Sequence, residues 1–338
     1  MARIVQHSLL HDAKKSKNDE FYTQRVDIES ELKHYSRHFK DKVVYCSCDD
    51  PASSNFFKYF YDNFETLGLR KLVATGYRTS ESEFGRIFTY TGTNEESERY
   101  EADDIPNLEG DGDFRGQESV NLLRDADIVV TNPPFSLFRE FVAQMAEFGK
   151  QFLVIGNVNA ITYKEIFNLI QAEKVWLGIH LGRGISGFIV PEHYELYGTE
   201  ARIDGDGNRV ISPNNCLWLT NLDHQKRHDE LVLTKSYQGN ESNYPRYDNF
   251  DGINVNKTKD IPSDYMGYMG VPITFLHKHN PDQFEVIRFR KGDDGKDLRI
   301  DGKPPYFRII ISRKGVDPAP KKVAAERPLP KSWQARLW

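Results

Sequence analysis

The 338 residues carry 45 Lys and Arg against 50 Asp and Glu, a net charge of −5, which bounds the chain to roughly two ordinary domains without an all-over basic surface. No apolar run approaches the roughly 20 residues of a membrane span, and Met1–Lys17 lacks the apolar stretch and small-residue cleavage site of a secretory signal, so a cytoplasmic protein without membrane contact is expected. Cys46, Cys48 and Cys216 leave one thiol over in any pairing and fit a reducing compartment, and Cys46-x-Cys48 has no second Cys/His pair at structural zinc spacing, so no metal is expected.

In chain order, Lys42–Tyr45 reads as a short buried strand, with Ser53 and Ser54 as caps for a helix over Asn55–Leu67, where Phe57, Tyr59, Phe60 and Phe64 recur near helical spacing. Lys71–Ala74 is a second strand. Thr93–Asp113 is polar and acidic, an exposed loop with little structure of its own. Gln117–Leu123 (helix), Asp127–Thr131 (strand) and Leu137–Phe148 (helix, Ser136 as cap and Gly149 as stop) follow. Phe152–Ile155 and Lys174–Leu181 are further strands, separated by a helix over Tyr163–Ala172. Such alternation implies a parallel sheet with helices on its faces. After Leu181 short strands and turns take over. Gly182-Arg-Gly-Ile-Ser-Gly187 has the G-x-G-x-x-G spacing, yet Phe188–Pro191 does not open a helix as a dinucleotide site requires. Asp204-Gly-Asp-Gly207 imitates the start of a calcium loop, but Asn215 stands where its glutamate belongs, so a turn is expected. From Pro281 to Trp338 there are 14 Lys and Arg against 8 Asp and Glu, a basic end that fits a nucleic-acid footprint and equally a solvated tail.

Asn132-Pro133-Pro134-Phe135 directly follows a strand, where an open α/β sheet places chemistry. The prolines stiffen the turn, the Asn side chain and the carbonyls supply acceptors, and Phe135 supplies a flat apolar face. That combination suits an exocyclic amino group on a planar heterocycle. Four residues alone also fit an ordinary turn. The tetrapeptide resembles the catalytic motif of amino-methyltransferases that use S-adenosylmethionine (SAM), and the segments expected of a SAM-binding sheet precede it. The first strand runs into Cys46, Ser47, Cys48, Asp49, Asp50 and Pro51, where loop amides and a helix N-terminus can bind the methionine carboxylate and Asp49 or Asp50 can accept from its ammonium. The glycines usual in such a loop are missing, and the aspartates also fit simple helix caps. Gly112-Asp113-Phe114 has the form of a turn that reads the adenine of SAM, and at Thr75-Gly-Tyr77 the acidic residue that commonly holds the ribose is absent.

Several longer blocks are similar to the EcoRI-type adenine-specific DNA methyltransferases. They are Asn18-Asp-Glu-Phe-Tyr-Thr23, Cys46 to Pro51 with Ser54-Asn-Phe56, Asn132 to Phe135, and Trp218-Leu-Thr-Asn-Leu-Asp-His224. Tyr247-Asp-Asn-Phe-Asp251, Asp260-Ile-Pro262 and Met269-Gly-Val-Pro-Ile-Thr-Phe275 extend the likeness over Asn18–Phe289. The order of the blocks resembles the γ arrangement of that class, and the resemblance implies that Tyr22 and Thr23 line the SAM site. It further implies double-stranded DNA as partner, an adenine flipped from the duplex and methylated at N6, and leaves a restriction endonuclease partner open.

The expectation is therefore a Rossmann-like SAM-dependent methyltransferase sheet at 1–181, a strand- and turn-rich target-recognition region at 182–315 with Arg288, Arg290, Arg308, Arg313 and Lys314 as DNA contacts, and a basic Pro-rich tail at 316–338. A methyltransferase of RNA bases or protein glutamine, and a non-catalytic DNA-binding protein of the same fold, are the rivals.

Overall fold

The computed structural model describes residues 22–78, 83–92, 105–192, 196, 201–212, 215–290, 298–305 and 307–315. The tail at 316–338, Asn18–Phe21 and most of the acidic stretch before residue 105 lie outside the described residues. The chain divides into two compact units, Met1–Ala160 with Leu177–Asp223, and Ile161–Trp176 with His224–Trp338. The packing therefore does not divide at Leu181.

The first unit contains β1 (Tyr22–Thr23), α1 (Arg25–Leu32), β2 (Val43–Ser47), α2 (Asn55–Asp62), α3 (Phe64–Leu67), β3 (Lys71–Gly76), β4 (Arg86–Tyr90), α4 (Gln117–Asp125) and β5 (Ile128–Thr131). It continues through α5 (Phe138–Glu147), β6 (Gln151–Asn157), β7 (Trp176–Leu181), β8 (Phe188–Val190), β9 (Arg202–Ile203), β10 (Arg209–Ile211) and β11 (Cys216–Thr220). Seven strands form one sheet in the order β4-β3-β2-β5-β6-β11-β7. β3, β2, β5 and β6 are mutually parallel, whereas β4 and β11 pair antiparallel to β3 and β6. Every residue of β2 and β5 is buried, the pattern of central strands covered on both faces.

Two strands of this sheet escape the reading of alternating units. β4 returns antiparallel to β3, and β11 comes from beyond Leu181 to insert beside β6 in full register from Cys216↔Asn157 to Thr220↔Leu153. The helix expected over Asn55–Leu67 is two. Ser54 caps α2, its hydroxyl accepting from Phe56 N and Phe57 N, but Asn63 Nδ2 donates to the Tyr59 carbonyl at 2.8 Å. The Asn63 backbone, at φ −107° and ψ 14°, leaves the helical range there and separates the two helices. Ser136 lies inside a single 3-10 turn, Phe135–Leu137, that precedes α5. Residues 105–113 are not a loose loop: Ile87 N donates to Pro106 O, Leu108 N to Gly85 O and Gly85 N to Gly110 O, so the segment is laced to β4. Asp204 closes the expected turn, accepting from Asp206 N and Asn208 N.

A smaller sheet, β1-β8-β10-β9, sets Tyr22 opposite Ile189 and Thr23 opposite Phe188. Helix α1 pins the glycine-rich loop before β8. Asp27 accepts from the Ser186 N–H and hydroxyl, and Gln24 Nε2 donates to Ser186 Oγ and Gly187 O. The loop is thus a structural connection on these contacts.

The second unit is built on β12 (Arg246–Tyr247), β13 (Phe250–Asn254), β14 (Tyr268–Val271), β16 (Arg308–Arg313) and β15 (Phe284–Arg290), adjacent in that order. Helix α6 (Lys164–Gln171) covers it with Ile166, Phe167 and Ile170, Phe167 meeting Phe289 at 5.3 Å between ring centroids. A helix that reads in sequence as a crossover of the catalytic sheet thus packs in the other unit.

Candidate active site

The carboxyl ends of β2, β3 and β5 lie side by side, since the three strands are parallel neighbours. The loop after β2 carries Asp49 and Asp50, that after β3 carries Tyr77, and that after β5 is Asn132 to Phe135. Cys48 adopts a left-handed backbone, φ 64°, the conformation a glycine would supply at less cost. The bend lets Asp49 N donate to Thr75 O at 2.8 Å and brings the loop across the end of β3. Gly76 makes room for it: a Cβ there would stand 2.7 Å from the Asp50 Cα. The glycine that the loop lacks in sequence is supplied by the neighbouring strand.

Asp49 is 8% exposed, and its Oδ1 accepts from the Ser54 hydroxyl at 2.7 Å. Burial pushes its carboxyl up to about 7, while the Thr131 hydroxyl, the Ser54 hydroxyl and the Asn132 N–H pull the other way. Asp50 is differently placed. Its Oδ1 accepts from Ala52 N at 2.9 Å and its Oδ2 pairs with Arg86 at 3.3 Å. The Thr131 hydroxyl donates to the Ser47 carbonyl and ties β5 to β2 just before the Asn-Pro-Pro turn.

Asn132 is half-buried and Pro133 buried. The Pro134 carbonyl accepts from Leu137 N at 3.0 Å, which closes the turn. Phe135 is half-buried and meets Phe188 edge-on, centroids 5.8 Å apart at 88°. Because Phe188 lies opposite Thr23 in the small sheet, β8 joins the aromatic residue of the turn to the Tyr22-Thr23 segment. Thr23 in turn accepts, through its carbonyl, from Asn55 Nδ2 at 2.9 Å at the start of α2.

Among the described residues, the buried oxygens Thr23 Oγ1, Ser47 Oγ and Asp49 Oδ2 in this neighbourhood have no hydrogen-bond partner. Such orphans are rare in folded proteins and mark a place for a polar ligand. Cys46 and Cys48 cannot serve as thiolates, because burial pushes both thiols well up. Cys46 contributes backbone and bulk. All three cysteines are free thiols.

Asp113 and Phe114 are committed elsewhere. Arg115 grips the Asp113 carboxylate through Nε at 2.9 Å and Nη2 at 2.6 Å and holds it below the usual carboxylate range. Phe114 is 6% exposed and packs edge-on against Phe141. Tyr77 is the residue that sequence reading passed over. It is 51% exposed at the end of β3, beside the Asp111–Asp113 turn, whose Asp111 carbonyl accepts from Arg78 N at 2.8 Å. An aromatic residue directly after a strand-ending glycine was the available signal.

Of the expected DNA contacts, Arg308 is a correction. It is 8% exposed and donates to Asn254 Oδ1 at 2.8 Å, Asn256 Oδ1 at 3.3 Å and the Phe307 carbonyl at 3.2 Å. It pins strands together inside the second unit, because β16 runs between β14 and β15 and its first residue faces inward. Arg313 donates to the Ser263 carbonyl and Lys314 pairs with Glu173 at 2.9 Å. Arg288 is half-buried on β15, and the Arg290 side chain lies outside the described residues.

Comparison with known proteins decides the family. The family model described as adenine-specific methyltransferase EcoRI matches residues 9–314. The chain belongs to this EcoRI-type family. It is 64% identical over 322 residues to the Type II methyltransferase M.EcoRI of Escherichia coli, covering 93% of this chain and 99% of that one. It is 38% identical over 320 residues to the Type II methyltransferase M.MpnI of Mycoplasma pneumoniae, covering 89% and 97%. A third relative, M.MgeORF184P of Mycoplasma genitalium, is 36% identical over 322 residues, covering 90% and 98%. No solved structure matches the chain significantly. As a member of the EcoRI-type family the protein is an adenine-specific methyltransferase, and the non-catalytic rival is set aside. Among the described residues no helix is long and apolar enough to cross a membrane.

Proposed function

We propose that the protein transfers a methyl group from SAM to N6 of an adenine swung out of duplex DNA, with Asn132, Pro133, Pro134 and Phe135 as its catalytic turn. The observation that carries this reading is the turn's position, at the carboxyl end of a central parallel strand and fastened through Thr131 to the last residue of β2. The strand order supports a Rossmann-like catalytic sheet, with a ligand crevice outside the carboxyl ends of its strands.

The residues present fit SAM. Thr23 and Ser47 offer buried hydroxyls without partners, Asp49 offers a buried carboxyl, and Tyr22 lies in the same strand as Thr23. Tyr77, exposed at the end of β3, is a better ring for the adenosine part than Phe114, and Asp113 reaches it only by sharing its carboxylate with Arg115. When bound, SAM supplies a methyl group on a sulfonium as electrophile.

The chain's own residues do the rest. Adenine N6 is a poor nucleophile, its lone pair drawn into the ring, and it is out of reach inside a duplex. The Asn132 side-chain oxygen and the Pro133 carbonyl accept its two hydrogens, which draws the nitrogen toward tetrahedral geometry and frees the lone pair for in-line attack. Phe135, braced by Phe188, stacks on the base, an interaction worth on the order of 1–3 kcal/mol. Fixing the two reactants in line supplies much of the rate.

The second unit reads the target on this proposal, with Arg288 and Arg290 as the remaining arginine candidates and phosphate contacts making affinity fall with salt. The relatives' Type II designation supports a place in restriction and modification in the cytoplasm, with a cognate endonuclease as partner. The test is nucleoside mass spectrometry of duplex DNA incubated with protein and SAM. N6-methyladenine is expected; only methylated cytosine, or no product on varied natural DNA, overturns the proposal.

A further inference from the structure

Two adjacent aspartates stand in the loop after β2, and their surroundings differ in kind. Asp50 is fully engaged, one oxygen on Ala52 N and the other on the Arg86 guanidinium. Asp49 is more deeply buried, with one oxygen on the Ser54 hydroxyl and the other, Oδ2, enclosed without a partner. Among the described residues no cation bears on it from the elements packed around it. From β2 come the Cys46 and Cys48 thiols, from the start of α2 the Ser54 hydroxyl, and from the end of β5 the Thr131 hydroxyl and the Asn132 N–H. The nearby carboxylates Asp50 and Asp113 are each held by an arginine of their own.

We propose that Asp49, and not Asp50, receives the ammonium group of the cofactor's methionine moiety and gives up a proton in doing so. This rests on the SAM reading above and deepens it. An isolated carboxylate in such a site is costly, so the carboxyl stays protonated until a counter-charge arrives. Burial, which pushes it up to about 7, and the neutral thiols around it agree with that state. An incoming ammonium supplies the missing charge. The carboxyl O–H bond then breaks, the proton leaves to solvent, the ammonium keeps its own three hydrogens, and Oδ2 gains its hydrogen-bond donor. Because the same carboxyl also faces the Asn132 N–H, its ionisation tightens a contact to the catalytic turn only when the cofactor is in place.

The test is calorimetry of SAM binding to the full-length protein between pH 5.5 and 7.5, where the ligand's amine (pKa roughly 7.7–8.0) is still mainly protonated. Two buffers of different ionisation enthalpy count the protons released. Close to one proton is expected at pH 6, about half at pH 7, with affinity about tenfold weaker at pH 6 than in the ionised limit. 5′-Methylthioadenosine, which lacks the amino-acid part, should bind without buffer-dependent heat. Asp49→Asn should bind SAM more weakly and release no proton, whereas Asp50→Asn should keep the release. Wild-type binding whose heat is the same in both buffers across this range overturns the inference even if no variant folds. So does undiminished release in Asp49→Asn. A wild-type protein that binds no SAM at all overturns the cofactor reading and this inference together.

Discussion

Replacing Gly76 by alanine probes whether the close approach between β3 and the Asp49-Asp50 loop is what shapes the cofactor end of the sheet. The added Cβ would lie 2.7 Å from both Cα and Cβ of Asp50 and 3.0 Å from its Cγ. Carbon atoms in good contact stand about 3.5–4.0 Å apart, so the loop must retreat by about 1 Å. The colliding atoms are backbone and the root of a side chain fixed to Arg86 and Ala52, so no flexible end can swing aside. Overpacking of this kind costs about 1–3 kcal/mol. In a unit of this size that corresponds to a melting temperature lowered by about 2–12 °C. If the loop bears the strain, SAM affinity falls by about 5- to 150-fold, since each 1.4 kcal/mol is roughly tenfold. Thermal unfolding and calorimetric SAM titration measure the two effects. Gly110→Ala is the control, because only Glu118 Oε2 comes near its added Cβ, at 3.9 Å. A Gly76→Ala protein with wild-type melting and wild-type SAM affinity would refute the claim that this contact forms the site.

Asn132→Ala should abolish methyl transfer while leaving melting and SAM binding near normal; retention of more than about a tenth of kcat, about 1.4 kcal/mol of barrier, would make Asn132 a turn residue only. Ser54→Ala removes the cap of α2 and a donor to Asp49, so stability should drop by about 0.5–2 kcal/mol in denaturant unfolding, and an unchanged midpoint would show that the cap contributes nothing. Arg308→Ala should destabilise the second unit by about 2–4 kcal/mol through the polar groups it leaves unpaired, yet leave the salt dependence of DNA binding intact; loss of about one unit from that slope would mark a direct phosphate contact. Asp49 also predicts a pH dependence of stability without cofactor. Its carboxyl rises from 3.8 to about 7 on folding, so between those values the native state holds the extra proton and stability falls as pH rises, by about 4 kcal/mol in all. Asp49→Asn should be relatively more stable at pH 8 than at pH 4.5, and parallel stability curves for the two proteins would contradict this.

The parallel core was legible because β2, β5 and β6 are short apolar runs bounded by turn residues and separated by helical periods. β11 was not, since an antiparallel insertion from beyond Leu181 is a tertiary event that a five-residue apolar run does not announce. The block Trp218–His224 was visible as a family likeness, but its place beside β6 came only from the register that starts at Cys216. Helix α6 misled for a related reason. Its apolar face, Ile166, Phe167 and Ile170, reads the same whether it covers the catalytic sheet or β15. Arg308 shows the limit of charge counting: its basicity was visible, while Asn254 and Asn256, more than fifty positions away, are what keep it indoors.

The site departs from ordinary sequence preferences at the places where function is proposed. Cys48 takes a left-handed backbone without being glycine, at a cost of roughly 1–2 kcal/mol. Among the described residues, Asp49 is a buried carboxyl with no cation beside it, and Thr23 and Ser47 hold buried hydroxyls without protein partners. The buried carboxyl and hydroxyls are unfavourable for the protein alone, and the proposed ligand, carrying an ammonium, a carboxylate and further donors, would relieve them. Were the Asp49 loop only a helix cap, Ser54 alone would suffice, since its hydroxyl already accepts from both Phe56 N and Phe57 N. The capping reading leaves the buried second carboxyl oxygen without a cause, whereas the cofactor reading accounts for it with one bound group.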